Sequence, residues 1–231
     1  MNGIEYLKQV RHLTDDTIKT FHLGYCDSQG YVYADSDFDI SHLKLDQRFY
    51  NTVWFPIFDL YDQLIGISAR NLNYKSKDET PKEIKYINTI YSKAHHLFGL
   101  NFTKFDCLQA RKVYVVEGNV DTLQLWQRGI RNVVGMLGSN LSLTQFCLLS
   151  RFVDEVVLVP DGDSAGHKFL QKMMSDRSVL KRYQNLGVSI SVVELPDGYD
   201  PDKFLQEKSR EEFLSLETRL YQTVQEKLQV L

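Results

Sequence analysis

The chain has 231 residues, 43% hydrophobic and 25% charged, with a formal net charge of −3, enough apolar material for one large packed domain or two small ones. No apolar run reaches the roughly 18–20 residues of a membrane span, and the first residues, "MNGIEYLKQVRHLTDD", lack a signal-peptide core. Three separated cysteines, Cys26, Cys107 and Cys147, fit a reducing cytoplasm and exclude a Cys-x-x-Cys zinc site.

In the first part of the chain, two β-rich runs in "WFPIFDLYDQLIGISARNLN" flank the polar turn "DLYDQ" and predict a hairpin. The charge is unevenly placed. Residues 64–112 carry nine Lys/Arg against four acids, a local +5 that leaves −8 for the remainder. A basic segment beside an acidic one suits a protein that holds a polyanion next to a metal, although solvated surface lysines give the same count.

Near residue 110 the pattern changes to strands alternating with helices. "KVYVVEG" (112–118), "NVVGML" (132–137), "DEVVLVPDGD" (154–163) and "VSISVVELP" (188–196) read as strands. Between them, residues 120–129 predict a helix stopped by Gly129, and residues 142–152 a helix N-capped by Ser142. Residues 164–187 predict a long helix, and residues 200–216 another with Pro201 in its first turn. Such alternation gives an α/β fold with a parallel sheet whose strand C-termini share one ligand-binding edge. The sequence puts acids there repeatedly: Glu117 after the first strand, Asp161 and Asp163 after the third, and Asp200 and Asp202 after the fourth. In an extended turn Asp161 and Asp163 point the same way, while Gly118 and Gly162 leave the backbone room to turn. Clustered carboxylates repel one another unless a cation joins them. Oxygen ligands without Cys or paired His select Mg²⁺ or Mn²⁺ over zinc. The adjacent His95-His96 cannot share a helix face as metal ligands, and Cys147 in an apolar helix reads as core. A turn or a helix cap is the competing explanation for any one of these aspartates.

The stretch "VVEGNVDTLQLWQRGIRNVVGMLGSNLSLTQFCLLSRFVDEVVLVPDGDSAG" resembles the Toprim domain of bacterial DnaG-type primases. Glu117, Asp121, Gly138, Gln145, Arg151, Asp161, Asp163 and Gly166 fall on that family's positions, and "LPDGYDPDKFL" resembles its later DPD segment. Upstream, "LTDDTIKTFHLGY", the hairpin and "IKYINTIYSKAHHLFGLN" are similar to successive parts of the primase catalytic core. The resemblance implies a Toprim-like parallel sheet flanked by helices, preceded by a smaller mixed α+β N-terminal subdomain. The expected divisions are residues 1–110, the Toprim domain at 111–208 and a C-terminal helical segment at 209–231. It implies metal ligation by Asp161 and Asp163, with Asp200 and Asp202 as further ligands or outer contacts. Glu117 is a ligand or a proton-handling group, and Asp121, Gly118 and Gly162 support the site. Arg70, Lys85, Asn88 and Lys93 are implied to hold template or nucleotide, and Tyr86 and Tyr91 either stack on bases or pack against the hairpin.

The implied activity is synthesis of short RNA primers on single-stranded DNA from ribonucleoside triphosphates, with two or more Mg²⁺ or Mn²⁺ ions and no zinc. A replicative helicase or a separate zinc-binding, tethering protein is the implied partner. Two departures stand out. Asn119-Val120 occupies an aromatic-Met position before Asp121, and Ser68-Ala69 replaces glycines before Arg70. Neither a zinc ribbon nor a helicase-binding region is evident, so the sequence reads as a catalytic core, either a fragment or a compact phage- or plasmid-type relative. The alternatives are a Toprim nuclease using the same acids and a non-catalytic nucleic-acid-binding adapter.

Overall fold

The computed structural model describes residues 2–34, 39–76, 78–80, 82–138, 140–175 and 185–219. The chain divides into two compact units, Met1–Ser92 and Lys93–Leu231. No helix among the described residues is long and apolar enough to cross a membrane.

The first unit opens with α1 (Gly3–Glu5), closed by a capping box between Asn2 and Glu5, and runs on through a π-helical turn. The next helix, α2 (Asp15–Thr20), is capped by Thr14, whose side chain accepts from the Thr17 amide, and carries Asp15 and Asp16 in its first turn. Acids there complement the positive end of the helix dipole. Five strands follow: β1 (Gly24–Cys26), β2 (Val32–Ala34), β3 (Thr52–Phe58), β4 (Leu64–Asn71) and β5 (Tyr86–Asn88). Among the described residues they form an antiparallel sheet in the order β2-β1-β3-β4-β5. The predicted hairpin is β3–β4. Its turn is held by Asp59 Oδ1, which accepts from the Tyr61 and Gln63 amides at 2.8 and 3.0 Å. Trp54, Ile67 and Ala69 on one face of this pair are buried with Cys26, Leu43 and Phe49.

The second unit contains β6 (Leu97–Phe98), α3 (Leu100–Ala110), β7 (Lys112–Val116), α4 (Asn119–Gln127) and β8 (Val133–Met136). It continues through α5 (Leu143–Leu149), β9 (Glu155–Val159), α6 (Ser164–Ser175), β10 (Ser189–Val193), α7 (Pro201–Glu207), α8 (Arg210–Ser215) and β11 (Glu217–Arg219). The sheet order is β11-β10-β9-β7-β8-β6. The four inner strands run parallel, and β6 and β11 close the edges antiparallel. Val113, Val115, Val116, Val133, Val134, Val156, Val157 and Leu158 are almost wholly buried, as strands covered on both faces require. Ser142 caps α5 with a capping box to Gln145, and Gly129 ends α4 at φ +87°, where glycine escapes the steric cost a side chain would meet.

The compact units part at Ser92/Lys93, because β6 pairs with β8 and α3 packs on β7 and β8. Farther along, the structure departs from the sequence expectations. The helix expected over 200–216 is two helices, since Ser209 starts a second capping box with Glu212. The segment from 209 is helical only as α8 and then forms β11; residues 220–231 lie outside the described residues. Of the helix expected over 164–187, α6 is seen, and residues 176–184 lie outside the described residues.

From Lys112 and Glu155 at the amino edge of the inner strands, an ionic cluster along one face fastens β11 to the sheet. Lys112 Nζ lies 2.6 Å from Glu217 Oε1 and 3.1 Å from Glu155 Oε2. The Tyr114 hydroxyl donates to Glu217 Oε2 at 2.6 Å, and Ser191 Oγ donates to Glu155. Burial, followed by the neighbouring Glu217, pushes the Tyr114 hydroxyl far above its ordinary pKa, so it remains a donor.

Candidate active site

The opposite edge gathers the acids. Glu117 lies just past β7, half-buried, and its Oε1 accepts from the Asp161 amide at 3.5 Å. Gly118 follows; a Cβ there would stand 2.3 Å from Asp121 Oδ2, so a side chain at 118 would push the Asp121 carboxylate from its place. Asp121 sits in the first turn of α4, and the Gly118 carbonyl accepts from both the amide and the hydroxyl of Thr122.

After β9, Pro160 leads into Asp161-Gly162-Asp163. Asp163 Oδ1 accepts from the Ala165 and Gly166 amides, each at 2.8 Å. Asp163 therefore caps α6. The two aspartates do not share an environment: Asp161 is half-buried, whereas Asp163 is exposed and turned to its cap. Period-two alternation fails here because the backbone bends at Gly162 and Asp163.

The loop after β10 is stitched to this turn. Gly162 N donates to Tyr199 O at 2.7 Å, and Gly198 N donates to Gly162 O at 2.6 Å. Asp200 caps α7 through the Lys203 amide at 2.7 Å, with Pro201 in the first position. Asp202, 4% exposed, donates its backbone amide to Asp121 Oδ1 at 3.1 Å, and its Oδ1 accepts from Gln206 at 2.7 Å.

These acids feel one another. Burial, then the charges of Asp161, Asp200 and Asp202, push the Asp121 carboxyl up to about 8. Burial and, secondarily, Asp163 raise Glu117, against the pull of the Asp161 amide. An aspartate in an unfolded chain titrates near ~3.9. The folded state thus holds a proton on Asp121 that the unfolded state releases, and this group's stabilising share is complete below about pH 4 and lost as pH rises through about 8. Asp121→Asn is expected to stabilise the metal-free protein increasingly from pH 5 to 9, by at most about 5 kcal/mol. A melting-temperature difference from wild type that stays flat over that range would contradict it.

No group of three His, Cys, Asp or Glu among the described residues is positioned, as it stands, to hold a metal ion. The chemistry of the donor set nevertheless fits a hard divalent cation. Neighbouring carboxylates raise the proton affinity of Glu117 and Asp121, and a cation relieves that repulsion. Asp163 and Asp200 use Oδ1 in their helix caps, and the second oxygen of each takes no part in those bonds. Asp121 and Asp202 are buried together, a placement for support rather than first contact.

Arg70, Lys85 and Asn88 belong to the first unit, and Lys93 opens the second. Arg70 is 8% exposed, its guanidinium 5.3 Å from the Tyr74 ring centroid and 5.5 Å from that of Tyr86. Its Nε and Nη1 are buried without a hydrogen-bond partner among the described residues, a costly state for a charged group. Lys85 and Lys93 are exposed. Asn88 lies opposite Ser68 and accepts from the Tyr91 hydroxyl at 3.0 Å. Tyr91 crowds Gly66, where a Cβ would lie 2.4 Å from its ring, so its packing role is plain. Sequence reasoning missed Tyr74 beside Arg70; an aromatic residue four positions after an arginine was the available signal.

An acid-lined carboxyl edge on this strand order defines a Toprim-type α/β domain. Residues 114–205 match the Toprim-like family, and residues 1–104 match the DNA primase catalytic core, N-terminal domain. The DNA primase of Aquifex aeolicus is 33% identical over 230 residues, covering 92% of this chain and 44% of that protein. The DNA primase of Clostridium acetobutylicum is 35% identical over 173 residues, covering 73% and 27%. The crystal structure of the zinc-binding and RNA polymerase domains of the Aquifex aeolicus primase superposes with a TM-score of 0.74 at 28% identity, covering 93% of this chain and 56% of that one. The chain belongs to the DnaG-type, Toprim-containing DNA primases. It spans less than half the length of these two curated relatives.

Proposed function

We propose that this chain is a primase catalytic core that joins ribonucleotides on single-stranded DNA in the cytoplasm. The observation that carries the reading is the convergence of Glu117, Asp161, Asp163 and Asp200 on one sheet edge, over the buried pair Asp121 and Asp202, in a chain matching primases through both units. Glu117, Asp161 and Asp163 would hold Mg²⁺ or Mn²⁺, two or more ions, with Asp200 adding a ligand and Asp202 an outer contact. Bound there, the metal supplies charge neutralisation at the triphosphate and activation of the attacking 3′-hydroxyl. Glu117, whose proton affinity burial has raised, takes up the hydroxyl proton. Arg70 offers its two unmatched donors to phosphate oxygens, and Lys85 and Lys93 add charge without reading sequence. A helicase or zinc-binding partner would raise the local template concentration.

The test incubates the protein with single-stranded DNA, labelled ribonucleoside triphosphates and Mg²⁺ or Mn²⁺. Short RNA products are expected. Shortened DNA would mean a nuclease, and no product in either metal would overturn the enzymatic reading. Arg70→Ala and Lys85→Ala should each weaken single-strand binding and flatten its salt dependence by roughly 0.7 in the log–log slope. Unchanged slopes in both would place the template elsewhere.

A further inference from the structure

Gln145 is 1% exposed, yet it is a polar side chain on a short helix far from any of the acids in sequence. Its Nε2 donates to Lys93 O at 3.0 Å and to His96 O at 2.7 Å, while its Oε1 accepts from the Ser142 amide at 2.8 Å. Ser142 Oγ accepts from the Gln145 amide at 3.0 Å and donates to Ala94 O at 2.6 Å. The amide orientation is fixed by this pattern, since the flipped side chain would set its oxygen against two carbonyl oxygens. An ordinary capping box satisfies only the start of its own helix. This one also takes up three carbonyls of the turn at Lys93–His96, which bears an exposed lysine and precedes β6.

We propose that Gln145, with Ser142, is a positioning residue for Lys93: it locks the backbone of the turn so that the ammonium group is presented in one direction to nucleic-acid phosphate. The proposal rests on the reading that Lys93 contacts phosphate. A lysine stem carries large rotamer freedom, and a rigid base for that stem narrows the positions its head can reach, which is what a phosphate contact needs. Gln145 touches neither the template nor the acids and acts through the turn.

The test measures single-stranded DNA affinity against salt for Lys93→Ala, Gln145→Leu and the double variant. Lys93→Ala should raise Kd several-fold and lower the slope by roughly 0.7. Gln145→Leu should reproduce part of both changes, and the double variant should be no worse than Lys93→Ala alone. Ser142→Gly is the second probe, because glycine keeps most of the cap while removing the hydroxyl on Ala94. It should lower the slope by a smaller amount at nearly unchanged melting temperature. If Lys93→Ala itself has no effect, the phosphate reading of Lys93 fails and the proposal falls with it. If Lys93→Ala weakens binding but Ser142→Gly and a folded Gln145→Leu bind as wild type, or if the effects add fully in the double variant, the positioning role alone is overturned.

Discussion

Asp161→Asn should lower primer synthesis by roughly 10²- to 10⁴-fold, the range expected when a metal-binding carboxylate loses its charge. The fold should survive. The replacement keeps the side-chain volume, and the backbone amide of residue 161 still donates to Glu117. The Asp161 charge also helps raise Asp121, so its removal eases repulsion at the sheet edge, and the metal-free variant should melt no lower than wild type near pH 8. Primer yield on a single-stranded template, paired with thermal melts in chelator, reads both effects. Normal turnover at ordinary Mg²⁺ would remove Asp161 from the site; lost turnover with a collapsed melt would recast it as structural. Asp163 calls for more care, because its cap on α6 makes Asp163→Ala a stability change of about 1 kcal/mol as well as a charge change.

Gly162→Ala should cost about 3 kcal/mol and take at least tenfold from primer synthesis. Gly162 is not among the positive-φ residues, so φ itself does not bar alanine. The obstacle is space: the added Cβ would stand 2.2 Å from Pro196 O, 3.0 Å from Tyr199 O and 3.1 Å from Leu195 O. All three are backbone atoms of the loop that carries Asp200, so relief would part that loop from the Asp161 turn and break the Gly162–Tyr199 and Gly198–Gly162 hydrogen bonds. Gly138→Ala is the matched control, with nothing within 4 Å of its Cβ and no positive φ. Equal melting temperatures for the two variants would show that the loops yield more easily than their hydrogen bonds suggest.

The inner strands were legible in the sequence because unbroken Val/Leu runs bounded by Gly, Pro and Asp have few other readings. β7, β8, β9 and β10 all begin within one residue of where the pattern put them, while β9 and β10 end four and three residues early. The edge strands were not legible. β6 has two residues and β11 three, too short to show a period, and both are held by partners far along the chain. The position of the acids at strand ends was also legible, through spacing and through family resemblance. Their division of labour was not. That Asp202 gives its amide to Asp121, 81 residues earlier, follows from the packing of α4 on α7, which no local pattern encodes. The helix-capping role of Asp163 was readable, since aspartate ahead of Ser-Ala-Gly is a strong N-cap signal.

β7 does two unrelated jobs at its two ends. Lys112 at its start ties down β11 through Glu217, and Glu117 just beyond its finish opens the acid edge. Five extended residues set the two about 16 Å apart, far beyond the reach of any hydrogen bond or ion pair that either end makes. Mutational drift at the chemical end therefore does not have to be answered at the anchoring end. A strand wired this way lets an evolving lineage retune its acids for new substrates while inheriting the same fastening unchanged.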